Sequence, residues 1–210
     1  MKKFITYISM QGDKMLKKVK YEPIDGAGLR ADRDTYFPVS LLIDNYAGKD
    51  EEIELICLKE RDNPDVERNY GLLVEEVSDI LADRNGICSY KVIELSTEEN
   101  IDNHLHAFSE IISCIEDGDI VNSCVTFGTK PIPVIEMMAL DYAYKVKKNV
   151  TIGSVVYGKI DRRNPDHISA GIYDITALFF MSQIVGHIAD MNIRDPEKMI
   201  RRLLKLGDDE

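Results

Sequence analysis

The chain has no surplus of positive charge. Over 210 residues, 37 acidic side chains outnumber 26 basic ones, for a net charge of −11. A protein that grips long DNA or RNA usually turns a basic face to the phosphates, so a general nucleic-acid binder is not expected. A small anion in a local basic pocket is still compatible with this balance. Long apolar runs are missing too; none approaches the roughly 18 residues of a membrane span. The opening Met1-Lys2-Lys3 and the following Phe4 to Met10 are too short and too polar (Thr6, Tyr7, Ser9) for a secretory signal. These absences predict a cytoplasmic protein.

Cysteine and histidine are sparse. Cys57, Cys88, Cys114 and Cys124 form no CxxC, and three of them fall in strand-like runs, which predicts reduced, buried thiols. His104 and His106 stand two apart on a predicted helix and so point in different directions. His167 falls in a loop and His187 in a late helix, and no zinc or other metal signature is present. The usual nucleotide and hydrolase fingerprints are absent as well. There is no GxGxxG after the first strand, no GxxxxGK[ST] and no GxSxG.

What is there is a regular alternation of strand and helix. Phe4–Met10 reads as the first strand, Glu52–Leu58 as the second and Cys88–Leu95 as the third. Asp119–Val125, Val150–Tyr157 and Ile172–Ile175 follow. Helices are expected from about Thr35 behind an Asp34 cap, from Asn63-Pro64, and from a Ser96/Glu99 capping box. Others are expected from Pro131, over Ala177–Met191 and over Pro196–Leu206. Leu16–Ile24 suggests a short edge strand or hairpin, and residues 25–33 a glycine-rich loop. Such alternation predicts a Rossmann-like, doubly wound α/β fold: a mainly parallel six-stranded sheet in the order 3-2-1-4-5-6, with helices on both faces and a small β-hairpin insertion after the first strand. Residues 1–176 form the expected domain, and helices within 177–210 are expected to pack on it or on a dimer partner.

In that order strands 1 and 4 are neighbours and the chain winds away from them in opposite directions, which opens a ligand crevice at their C-terminal ends. Strand 1 would deliver Ser9, Met10, Gln11 and Gly12 there, and strand 4 Thr126, Phe127, Gly128, Thr129 and Lys130. A helix N-terminus, a flexible glycine, two hydroxyls and an ammonium group together suit a phosphate or another anion. Basic residues (Lys14, Lys17, Lys18, Lys20, Arg30, Arg33, Lys159, Arg162, Arg163) are dense in the surrounding loops, with acidic ones interspersed.

The stretch Cys124-Val125-Thr126-Phe127-Gly128-Thr129-Lys130-Pro131 resembles the T-G-G-T-K-P signature of CARF domains, the CRISPR-associated Rossmann-like sensors. The opening Phe4-Ile5-Thr6-Tyr7-Ile8-Ser9, the segment Val19-Lys20-Tyr21-Glu22, the strand ending Val155-Val156-Tyr157-Gly158 and the closing Ile172-Tyr173-Asp174-Ile175-Thr176 are similar to the same family. Phe127 replaces the first glycine of the signature pair. An aromatic there either stacks on an adenine or fills the core.

The resemblance implies a homodimer that binds cyclic oligoadenylate, a tetra- or hexa-adenylate ring made by type III CRISPR complexes, across its two-fold axis. It implies Ser9 to Gly12 and Thr126 to Lys130 as ligand-binding residues, with no metal and no cofactor. Family members usually carry an effector domain after the sensor. None is visible here, so a separate or missing effector is expected. Some members also cut the ring without metal, which leaves a ring nuclease as the alternative, with catalytic residues unassigned. A Rossmann-like protein using a nucleotide or NAD is a third reading, weakened by the missing glycine fingerprint.

Overall fold

A computed structural model describes residues 1–24, 28–161, 169–191 and 193–204. The chain divides into two compact units, residues 1–175 and 176–210. In the first, the order is β1 (Lys2–Tyr7), β2 (Tyr21–Ile24), α1 (Pro38–Tyr46), β3 (Glu52–Glu60), α2 (Pro64–Ala82) and β4 (Ile87–Leu95). Then come α3 (Ile101–Cys114), β5 (Ile120–Cys124), α4 (Pro131–Val146), β6 (Thr151–Asp161) and β7 (Ser169–Asp174). The second holds α5 (Thr176–Asp190) and α6 (Pro196–Leu203). The apolar run of α5 leaves Leu178, Phe180 and Val185 exposed. Among the described residues no helix is long and apolar enough to cross a membrane.

The strands form one seven-stranded sheet in the order β2-β7-β6-β5-β1-β3-β4. It is mostly parallel; β7 runs antiparallel to β6, and β2 pairs parallel with β7. Strand count and order therefore both depart from the expected six strands in the order 3-2-1-4-5-6. The segment expected to fold back as a hairpin instead travels to the far edge of the sheet and adds β2 there. Burial explains the difference. Leu16, Tyr21, Leu29 and Ala31 all enter the core, which a hairpin on the rim could not achieve. Pro23 is tolerated because β2 is an edge strand with no ladder on its outer side.

Helices cover both faces, as a mostly parallel sheet requires. On one, α1 and α2 pack over Phe4, Ile8, Leu55, Cys57, Cys124 and Val156. On the other, α3 and α4 pack together, joined by an edge-on contact of Phe108 with Tyr142 at 6.0 Å. β1 and β5 are direct neighbours, with Thr6 level with Cys124. From β1 the chain first crosses to β2 at the far edge and only then returns through α1 to β3, on the other side of β1, while from β5 it moves through α4 to β6. All four cysteines are free thiols, and burial pushes the Cys57, Cys88 and Cys124 groups up.

Two helices begin later than their sequence suggests. α1 starts at Pro38, because the Thr35 hydroxyl is drawn to Glu76 at 2.5 Å and accepts from the Phe37 N–H at 3.0 Å. α3 starts at Ile101, capped by Asn100, whose side chain accepts from the Asn103 N–H at 3.0 Å. Ser96 to Glu99 is thus released from the expected capping box and lies as a loop before the helix.

At the N-terminal edge of the sheet the charges close on one another. The buried Lys3 ammonium lies 3.1 Å from Glu54 and 3.2 Å from Asp119, and it donates to the Cys114 carbonyl at 2.5 Å. Asp119 also accepts from the Glu116 N–H at 2.6 Å and from the Met1 amine at 3.0 Å. Burial works against both charges, yet the bonds prevail: Asp119 is held below its usual pKa and Lys3 above its own.

Candidate functional site

Opposite that edge, the C-terminal ends of β1 and β5 carry the two predicted loops. The first is bound to α2. Asn69, fully buried, donates from its amide to the Ser9 carbonyl at 2.7 Å and the Gln11 carbonyl at 2.9 Å. Arg68 adds a 3.0 Å bond to the same Gln11 carbonyl. The Ser9 hydroxyl is buried and accepts from the Gln11 N–H at 3.2 Å, so it shapes the loop and does not face solvent. Met10 is half-buried against the core and lies 3.8 Å from the Tyr7 hydroxyl through its sulfur. Gly12 sits beside Asp65 at the start of α2.

The second loop is shaped by Gly128. Its φ of +103° is left-handed, and a Cβ there would come within 3.1 Å of both Ile132 Cβ and Tyr7 Cγ. The Thr126 hydroxyl accepts from the Gly158 N–H at 2.8 Å and lies 3.1 Å from the Cys124 sulfur, which ties β5 to β6. Phe127 packs edge-on against Phe37 at 6.3 Å and joins the core over α1. That contact favours the core-filling alternative for this aromatic.

The expected anion site at the helix N-terminus changes character. Pro131 and Pro133 have no N–H, and the Ile132 N–H is taken by the Thr129 carbonyl at 3.0 Å. The first turn of α4 therefore offers little beyond its dipole. Donors come instead from the loop before it, where the N–H groups of Gly128, Thr129 and Lys130 bond to no other described residue. Lys130 is exposed and pairs with no carboxylate among the described residues. Successive N–H groups left free beside an ammonium are donors of the kind an anion accepts from.

The basic rim is thinner than its sequence suggests. Arg33 faces Asp44 at 3.4 Å, and Lys18 lies over the Tyr36 ring at 5.3 Å. Arg162, Arg163 and His167 lie outside the described residues. The sequence reading missed a small cleft, with a cavity of ≈ 30 Å³, beside Thr129, lined also by Tyr7, Glu60, Glu98, Glu99 and His104. Among the described residues no lysine or arginine lines it. Burial first, then the charges of Glu60 and Glu99, push the Tyr7 phenol up to about 12. His104 is half-buried there, while His106 on the same helix is exposed. Helical spacing separates the two imidazoles, but it could not show which of them would border the cleft that Tyr7 lines. Among the described residues no cluster of His, Cys, Asp and Glu is arranged to hold a metal.

The architecture is Rossmann-like α/β, with the Gly128–Lys130 loop following β5 beside β1. The chain matches no family model and no curated protein.

Proposed function

We propose that this chain is a CRISPR-associated sensor of cyclic oligoadenylate, acting in type III antiviral signalling in the cytoplasm, with the ring held between two copies of the protein. The observation that carries the reading is the corner at residues 128–130, where three N–H groups and an ammonium find no partner among the described residues, just past the C-terminal end of β5 and beside β1. A ring of phosphates with two-fold symmetry can meet such a corner twice, once from each subunit. The exposed Ile101, Leu105, Val134 and Met138 on α3 and α4 give a second copy apolar surface to bury. Because the Ser9 and Thr126 hydroxyls already bond within the fold, the work falls on the Gly128, Thr129 and Lys130 backbone and on the Lys130 side chain.

Calorimetric titration with rings of three to six adenylates tests this. One tetra- or hexa-adenylate ring per two chains is expected. Lys130→Ala should weaken binding by about 1–3 kcal/mol, the range of a charge-assisted hydrogen bond to phosphate. Thermal stabilisation by NAD or ATP with none from any ring would overturn the reading in favour of a dinucleotide or nucleotide protein. A second reading, a ring nuclease, is favoured by one specific feature: the cleft next to the corner holds an imidazole and a phenol.

A further inference from the structure

A second cavity lies apart from the corner and the cleft, on the face of β6, β7 and β2 that is turned away from α1. Alternation along the strands decides which residues reach it. Tyr21, Ala170 and Ile172 enter the core, so their neighbours Glu22, Ser169, Gly171 and Tyr173 point the other way. A Cβ on Gly158 would meet Pro38 of α1, so Tyr157 and Lys159 also point to the outer face. Register sets Lys159 and Glu22 level with Gly171, one on each side of it. Gly171 has no side chain to fill the gap; a Cβ there would come within 2.9 Å of Ile24 Cγ1. The result is an open cavity of ≈ 140 Å³ over Gly171, with Ile24 and Tyr173 at one end and Ser169 and Asp161 at the other. Tyr157 stands level with Tyr173 and backs that apolar end, the two rings 6.3 Å apart.

Lys159 and Glu22 are both exposed, and neither bonds to another described residue. They stand two strand spacings apart, roughly 10 Å at the backbone, and border the cavity from opposite sides. A simple anion entering here would meet two carboxylates, Glu22 and Asp161, for one ammonium. A simple cation would leave Lys159 unmatched. A molecule that carries both charges satisfies both sides. Size narrows the choice: a cavity of about 150 Å³ holds benzene, so this one takes roughly six to nine non-hydrogen atoms. We infer that this face binds a free α-amino acid with a small branched apolar side chain, valine being nearest in size. Its carboxylate pairs with Lys159, its ammonium with Glu22, and its methyl groups lie against Ile24 and Tyr173. The site shares no residue with the Gly128–Lys130 corner, so it stands or falls independently of cyclic oligoadenylate.

The test titrates valine into the isotope-labelled full chain and follows its backbone amide signals by nuclear magnetic resonance. One valine per chain is expected to shift the signals of residues 22–24, 157–161 and 169–173. A dissociation constant of about 1 mM is expected, because both ion pairs are exposed to solvent. Valinamide lacks the carboxylate and N-acetylvaline lacks the ammonium, and each should bind about fivefold more weakly. Lys159→Met and Glu22→Gln should each weaken valine by a similar factor, while Lys130→Ala binds it as wild type does. No shift of these signals at valine concentrations far above that constant overturns the site. Equal binding of valine and its two blocked forms overturns it too, as does an affinity unchanged in both Lys159→Met and Glu22→Gln. Adenosine held there as tightly as valine would make the face a base-stacking surface and overturn the amino-acid assignment. A failure of the sensor reading would show in the ring titration and leave these results untouched.

Discussion

Lys3 and Tyr7 stand four residues apart on one face of β1, one at each end of the sheet, and both look into acidic surroundings. At Lys3 the circuit is closed: two carboxylates and a carbonyl surround one ammonium, and every partner is within 3.2 Å. At Tyr7 it is open. Among the described residues, Glu60, Glu98 and Glu99 border a cleft with no lysine or arginine on its walls, and the nearby corner holds an ammonium with no carboxylate partner. A closed set of charges contributes to stability and offers nothing to a ligand. An open set costs repulsion in the empty protein, and a molecule that brings the missing donors and acceptors relieves it.

Removing a partner at the closed end should have the largest effect. Asp119→Ala would leave the buried Lys3 with Glu54 as its one carboxylate partner, and breaking a buried pair from one side costs about 3–5 kcal/mol. Urea unfolding would read this as a fall in the midpoint at unchanged slope. A loss below about 1 kcal/mol would place this network with ordinary surface pairs and erase the contrast. The pH dependence follows from the sign of the shift. Asp119 is held below its usual value of 3.8, so its contribution is complete above that pH and is lost as pH falls through the depressed folded value.

Glu136, in α4, sharpens the comparison from between the two ends. Its carboxyl is fully buried, accepts from the Ser123 hydroxyl at 2.9 Å through one oxygen and leaves the other oxygen unpartnered. Burial raises it from 4.5 to about 8, so the folded protein holds a proton that the unfolded chain has released. Stability should then fall as pH rises from about 5 to 8, by about 3 kcal/mol at roughly 1.4 kcal/mol for each pH unit of difference. Glu136→Gln should flatten that slope and be the more stable protein at pH 8. A wild-type stability unchanged between pH 5 and 8 would show that the carboxyl is already ionised and partnered.

The layered α/β architecture was legible because buried strands and amphipathic helices announce themselves locally. Pro64 behind Asn63 and Pro131 behind Lys130 mark helix starts that the structure keeps. The fate of residues 16–24 was not legible, since choosing between a hairpin on the rim and a strand at the far edge depends on which distant surface buries Leu16 and Tyr21. The corner at Gly128 could be read from its own residues. The cleft beside it could not: its walls come from β1, β3, β4, α3, α4 and the loops before α3 and α4, and the first of those loops was read as helix because Ser96 and Glu99 imitate a cap. The weakness of the α4 first turn as an anion site was in plain view in Pro131 and Pro133. It becomes meaningful only once the N–H groups of residues 128–130 are seen to be free.

The smallest of these effects bears on whether the open end is built to a fixed shape. Gly128 holds a φ of +103°, and an added methyl would press on Ile132 and on Tyr7, each at 3.1 Å. Gly128→Ala therefore combines backbone strain with two tight contacts, for an expected loss of about 1–2 kcal/mol in unfolding free energy. The loss matters less than where the strain goes. If the corner is rigid, Tyr7 and Ile132 shift, and because both line the cleft, the near-ultraviolet tyrosine signal should change together with ring binding. If the corner is soft, the loop rearranges and the cleft keeps its shape. A variant as stable as wild type, with tyrosine spectrum and ligand affinity unaltered, would show that the open end tolerates displacement. Its free N–H groups would then be a property of a loose loop, and the contrast between the two ends of β1 would be one of packing and not of purpose.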